Sequence, residues 1–230
     1  RYYEQGRIDA PPPNRQIEDV SFDYETEAER EAYEAIEHYI NSRFAELEQE
    51  KPGKGFVMTI YRRRASSSPR AIRRSLDRRR EKLERVIRRE TSDAWLLPQT
   101  EDVDIQDLAD QEMDRIDAGL PSSPQAARAE KTEIASLLAQ LDDLEPTDSK
   151  LAKFWTVLQD ITADGRSVLV FTEYADTMEY LRDHLRLTYG SATACYSGEG
   201  GHLWTGESWE RVSKAEITAR LFSGEIKVLV

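Results

Sequence analysis

The chain has 230 residues, 39% apolar and 33% charged, enough for one large or two small domains under a heavily charged surface. One cysteine, Cys195, excludes a disulfide framework, and no apolar run approaches the ~20 residues that span a bilayer, so a cytoplasmic protein without membrane partners is expected. The formal charge of −12 argues against a simple basic nucleic-acid binder, yet residues 61–90 carry twelve Arg and one Lys against four acids, a cationic stripe on an acidic body.

The N-terminal stretch "RYYEQGRIDAPPPNRQ" lacks a signal-peptide core. The prolines at 11–13 enforce extended geometry, and the alternation in "RQIEDVSFDY" predicts a strand ending near residue 24. Thr26 and Glu29 form a capping box. It opens a helix to about Glu50, with Tyr33, Ile36, Ile40, Phe44 and Leu47 on one face. "KPGKG" (51–55) lacks the spacing of a phosphate-binding loop and reads as a turn. A short helix is expected over 55–65. Ser68 as N-cap and Pro69 at the first helical position then open the Arg-rich helix, which runs to about Glu90 on a stripe of Ile72, Leu76, Leu83 and Val86 or Ile87. Residues 91–121 read as a polar loop with a short helix. "SSP" (122–124) opens a helix bearing Ile134, Leu137, Leu138, Leu141 and Leu144, and "EPTDSK" (145–150) reads as a boundary before the helix "LAKFWTVLQDI".

From residue 166 the period changes. "RSVLVFT" is a continuous apolar strand, expected to be buried on both faces of a parallel sheet. Asp176 and Glu179 can cap the following helix, "ATACY" (192–196) is a second strand, Ser213 and Glu216 cap a third helix, and "IKVLV" (226–230) is a third strand. The result is a β-α-β-α-β unit that ends on an apolar strand, as a fragment of a longer domain would.

In this order, "DSKLAKFWTVLQDI", "RSVLVFTEYADTMEYLRDHL", "CYSG" and "SKAEITARLFSGEIKVLV" resemble the start of the second RecA-like lobe of Swi/Snf-type (superfamily 2) helicase-like ATPases. "PPPNRQIEDVSFDYETEAEREAYEAI" is similar to the exit from their first lobe. "GFVMTIYRRRASSSPRAIRRSLDRRREKLE" looks like the helical region between lobes, especially in bacterial and archaeal relatives of polymerase-recycling and DISARM-type phage-defence helicases. The resemblance implies an α/β fold with three parts. Residues 1–24 would leave the first lobe, 25–147 would form a helical inter-lobe insertion, and 148–230 would be the first half of an incomplete parallel-sheet lobe. It also implies ATP and Mg2+ as cofactors of the intact motor, with the Walker A lysine, the acid pair and the arginine-finger motif outside residues 1–230. Double-stranded DNA is the implied partner, with other subunits of a defence or transcription complex as further candidates. The stretch "EGGHLWTGESWERV" (199–212), with Trp204 and Trp209, departs from the family pattern.

Ligands of open parallel sheets sit beyond the carboxyl ends of the strands. On the resemblance, Thr172, Tyr174, Ser197 and Gly198 would contact the nucleic-acid backbone there, the alternative being that Thr172 only caps its turn. Arg70, Arg73, Arg74 and Arg80 would line the DNA path, or else pair with the chain's own acids. His38, His184 and His202 lack metal-ligand spacing, and Cys195 reads as a small core residue. Two other functions stay open: a non-catalytic protein-interaction scaffold, and an RNA-directed helicase of the same superfamily.

Overall fold

The computed structural model describes residues 16–91, 119–144 and 148–230. The proline run, the segment 92–118 and residues 145–147 of the expected boundary lie outside the described residues. Helix α1 (Glu27–Glu50) begins where Thr26 accepts a hydrogen bond from the Glu29 amide at 3.2 Å. Only half of the capping box forms, because the Glu29 carboxylate turns away to accept from the amide and hydroxyl of Ser149. The helix stops at Pro52-Gly53, where Gly53 adopts φ +84°. The amides of Gly53 and Gly55 then donate to Glu48, so a carboxylate occupies the concavity that a phosphate would need.

Helix α2 (Val57–Ser67) runs into α3 (Pro69–Thr91), with the Ser68 hydroxyl accepting from Ala71 at the junction. Helix α4 (Pro124–Asp143) starts at Ser123, whose side chain accepts from Ala126. Ile36, Ile40, Ile72, Leu76, Leu83, Ile134 and Leu138 from these helices merge into one apolar core. Phe44, expected on the inner stripe, is 39% exposed. A polar network crosses this core. Arg79 and Glu130 are fully buried and ion-paired, Tyr39 donates to Glu130 at 2.7 Å, and Arg79 donates to the Gly119 carbonyl at 3.0 Å.

Helix α5 (Ser149–Thr162), capped by Asp148, leads into the sheet unit. There β1 (Val168–Leu169), α6 (Ala175–Tyr189), β2 (Thr193–Ser197), β3 (Gly200–Trp204), β4 (Trp209–Val212), α7 (Lys214–Phe222) and β5 (Val228–Leu229) build one sheet of order β1-β5-β2-β3-β4. The pairs β1–β5 and β5–β2 are parallel and the pairs β2–β3 and β3–β4 antiparallel, so the fold is α/β with a mixed sheet rather than the parallel one expected. The cause is the departing stretch 199–212. Instead of a long turn it forms a hairpin on the β2 edge, closed by the Thr205–Ser208 turn and by the adjacent rings of Trp204 and Trp209.

Two further expectations fail for nonlocal reasons. Residues 16–24 join no strand; Ile17, Val20 and Phe22 are exposed, although Tyr24 stacks on Tyr33 at 5.3 Å. The strand at 168–171 is not buried on both faces. Val168 and Val170 pack towards α5 and α6, whereas Leu169 (53%) and Phe171 (90%) are exposed, because α7 packs over β2, β3 and β5 and leaves that face of β1 open. Among the described residues no helix is long and apolar enough to cross a membrane.

Candidate nucleic-acid interface

The carboxyl ends of β1, β5 and β2 open into a cleft of about 460 Å³. Thr172, Tyr174, Ser197 and Gly198 all line it, together with Phe171, Tyr196, Lys214 and Thr218. Each comes from a local rule of chain geometry. Thr172 and Glu173 follow β1 as the chain turns into α6, whose N-cap is Tyr174, with no side chain capping the first turn. Ser197 ends β2, and its hydroxyl accepts from the Glu199 amide at 3.2 Å, holding the two-residue turn into β3. At Gly198 a Cβ would meet open space, so the backbone there is accessible from the cleft. Lys214 starts α7 just after its Ser213 cap and stands 6.0 Å from the centre of the Tyr196 ring. Among the described residues neither Lys214 nor the Thr172 hydroxyl meets a carboxylate or other hydrogen-bonding group.

Tyr174 differs from its neighbours. It is buried, and the Arg64 guanidinium lies over its ring at 4.6 Å. Sequence reasoning passed over Lys214 and Phe171. Lys214 was legible as the residue after a recognisable cap; the exposure of Phe171 depends on where α7 packs.

The arginines stand elsewhere. Arg70 pairs with Asp183 at 2.7 Å, Arg73 with Asp142, Arg74 with Asp176 at 2.6 Å and Glu179 at 2.8 Å, and Arg80 with Asp77 at 2.8 Å. Three of these four therefore meet acids of other helices, and two of them grip α6. Asp176 is the hub. Arg64 binds it at 2.8 Å from α2, and Arg78 approaches to 3.8 Å. Burial alone would raise the Asp176 carboxyl, but the hydrogen bonds from Arg74 and Arg64 and the charge of Arg78 outweigh it and hold it below its ordinary range.

Hydroxyls complete the junction, with Ser67 and Ser68 meeting Thr177 at 2.7 and 2.9 Å. Lys150 donates to the carbonyls of Ser66 and Ser67 at 2.6 and 3.1 Å, where a cation complements the C-terminus of α2. Burial draws its ammonium below the usual lysine range, with Asp148 opposing the shift. Ser149 also accepts from the Glu25 amide at 2.7 Å, so "SKL" ties together α1, α2 and α5.

Glu48 fills the glycine loop at 51–55, whose amides would otherwise face a phosphate. No cluster of three or more His, Cys, Asp or Glu among the described residues could hold a metal ion. Cys195 is buried in β2, and burial pushes its thiol up despite the nearby Arg182. Comparison with known proteins gives no matching family model, no matching curated protein and no matching solved structure.

Proposed function

We propose that this chain supplies backbone grip and coupling to an ATP-dependent double-stranded DNA translocase of the helicase-like superfamily it resembles, its 148–230 unit serving as part of a RecA-like lobe. The observation that carries the reading is convergence. Thr172, Tyr174, Ser197 and Gly198, from two different strand ends, line one cleft, and Lys214 adds an ammonium there. Hydroxyls, accessible backbone and a cation at helix N-termini suit phosphate oxygens. Coupling runs through α6. Its first turn borders the cleft, and the same turn is held by Arg64 and Arg74 of the helical unit, so a shift of the gripped strand is felt by α2 and α3.

ATP hydrolysis is assigned to none of the described residues. In the protein encoded by the uninterrupted reading frame, duplex DNA is expected to stimulate ATP hydrolysis, and Thr172→Ala with Lys214→Ala to weaken that stimulation. No stimulation by any nucleic acid refutes the motor; stimulation by RNA alone makes it an RNA-directed helicase. One observation favours a scaffold instead: all four arginines expected on DNA already hold carboxylates. Absence of DNA binding at low salt would favour that second reading.

A further inference from the structure

The helical unit and the sheet unit share no apolar core. Among the described residues, the cluster around Ile36, Leu76 and Ile134 and the two clusters of the sheet unit have no residue in common. What joins the units is polar and ordered. On α3, Arg70, Arg74 and Arg78 recur every four residues and so share one helix face; on α6, Asp176, Glu179 and Asp183 share another. Arg70 meets Asp183 and Arg78 approaches Asp176, so the two rows run antiparallel, with Arg74 reaching Asp176 and Glu179 between them. Arg63 of α2 extends this zipper to Glu173. Arg64 and Arg70 also lie over the rings of Tyr174 and Tyr180.

Separating such a junction costs less than mutating it. Deleting Asp176 strands the buried Arg64 guanidinium, but moving the units apart returns both partners to water, and the recovered hydration offsets most of the lost attraction. The pairs of Arg63, Arg70 and Arg74 with Glu173, Asp183 and Glu179 are 28–55% exposed. Each such pair favours the closed arrangement by a factor of only about 1–5. The cleft brings a competing anion to one end of the zipper. Glu173 lines it beside Thr172, so a phosphate held by Thr172 repels that carboxylate and attracts its partner Arg63. We infer that the α6 carboxylates and a nucleic-acid backbone compete for this arginine row: the zipper is an autoinhibitory contact, and a backbone bound in the cleft releases the helical unit from α6. Arg70 and Arg74, paired when the zipper is closed, become backbone contacts when it opens. The inference rests on the nucleic-acid reading above and adds its regulation.

The test uses the 230-residue chain with fluorophores on Ala45→Cys of α1 and Ala219→Cys of α7, both exposed positions, while Cys195 is buried. Energy transfer between them reads the separation of the units, and anisotropy of a labelled duplex reads binding to the unlabelled protein. The salt is held at about 0.1 M, where charges more than ~10 Å from the backbone are largely screened. Duplex DNA is expected to lower the transfer while the helical circular dichroism stays unchanged. Glu173→Gln with Asp183→Asn should lower the transfer without DNA and tighten duplex binding roughly 2- to 30-fold, the product of two half-exposed pairs. Adding Arg70→Ala and Arg74→Ala should abolish that gain. Glu31→Gln with Glu34→Gln, the same charge change at exposed positions of α1 outside the zipper, should leave the transfer where it was. Unchanged transfer with the duplex bound overturns the inference and leaves the cleft reading standing. So does a variant that opens without binding the duplex more tightly. Absence of duplex binding overturns both together.

Discussion

Asp176→Ala is the perturbation that most directly probes how the helical unit holds the sheet unit. The carboxylate is 6% exposed and accepts from Arg64 and Arg74, with Arg78 at 3.8 Å. Its bond to Arg64 is the costly one to break, because the side chains are only 10% and 8% exposed and the guanidinium would be left in a poorly solvated place. Removing one partner of such a pair costs about 3 kcal/mol. Arg74 and Arg78 are each 41% exposed; water screens them, and Arg74 retains Glu179, so together they add at most about 1 kcal/mol. For a chain of this length, about 3 kcal/mol lowers the thermal midpoint by about 6–12 °C. Thermal unfolding at neutral pH, followed by circular dichroism and tryptophan fluorescence, measures it. Asp183→Ala, which removes the half-exposed partner of Arg70, should cost no more than about 1 kcal/mol and serves as the control. A drop under about 2 °C for Asp176→Ala, or an equal drop for both variants, would refute the assignment of Asp176 as the hub.

The same carboxylate predicts an acid limb. Its folded pKa lies below the unfolded value of about 3.9, so its contribution is complete above that pH and is lost as the pH falls through the lower folded value. The stability difference between wild type and Asp176→Ala should therefore narrow below about pH 4 in urea titrations, and a gap that widens there contradicts it. Arg79→Ala would strand Glu130 in the helical core and should cost about 3–5 kcal/mol, whereas Arg79→Met with Glu130→Leu should recover much of the loss. Cys195, buried and with its thiol pushed up, should resist a thiol reagent in the folded protein and react fully in denaturant. Rapid reaction without denaturant would mean that the β2 core opens.

What could be read from the sequence was mainly what one or two adjacent residues decide. Thr26, Ser68, Ser123 and Ser213 each accept a backbone hydrogen bond at a helix start, because a cap needs only its own hydroxyl and the following turn. The apolar stripes of α3 and α4 were legible for the same reason. Pairings between distant segments were not. The acids Asp176, Glu179 and Asp183 lie about a hundred residues from the arginines they hold, and Asp176, expected as a cap, sits inside the first turn with Tyr174 at the N-cap. The hairpin at 200–212 looked like a loop because its strands are defined by the free edge of β2, which no local pattern announces. Of the cleft, Thr172, Ser197 and Gly198 followed from strand ends, but the second strand end lies beside the first only because β5 intervenes between β1 and β2.

Photo-crosslinking places a nucleic acid on the protein most directly. Duplex and single-stranded DNA carrying photoreactive thymidine analogues would be irradiated with the chain, and the crosslinked tryptic peptides identified by mass spectrometry. The cleft account predicts adducts in peptides 167–182 and 187–211, which contain Thr172 and Ser197-Gly198, and their loss at high salt. Adducts confined to the arginine helix 69–91, or none on any peptide, would contradict it.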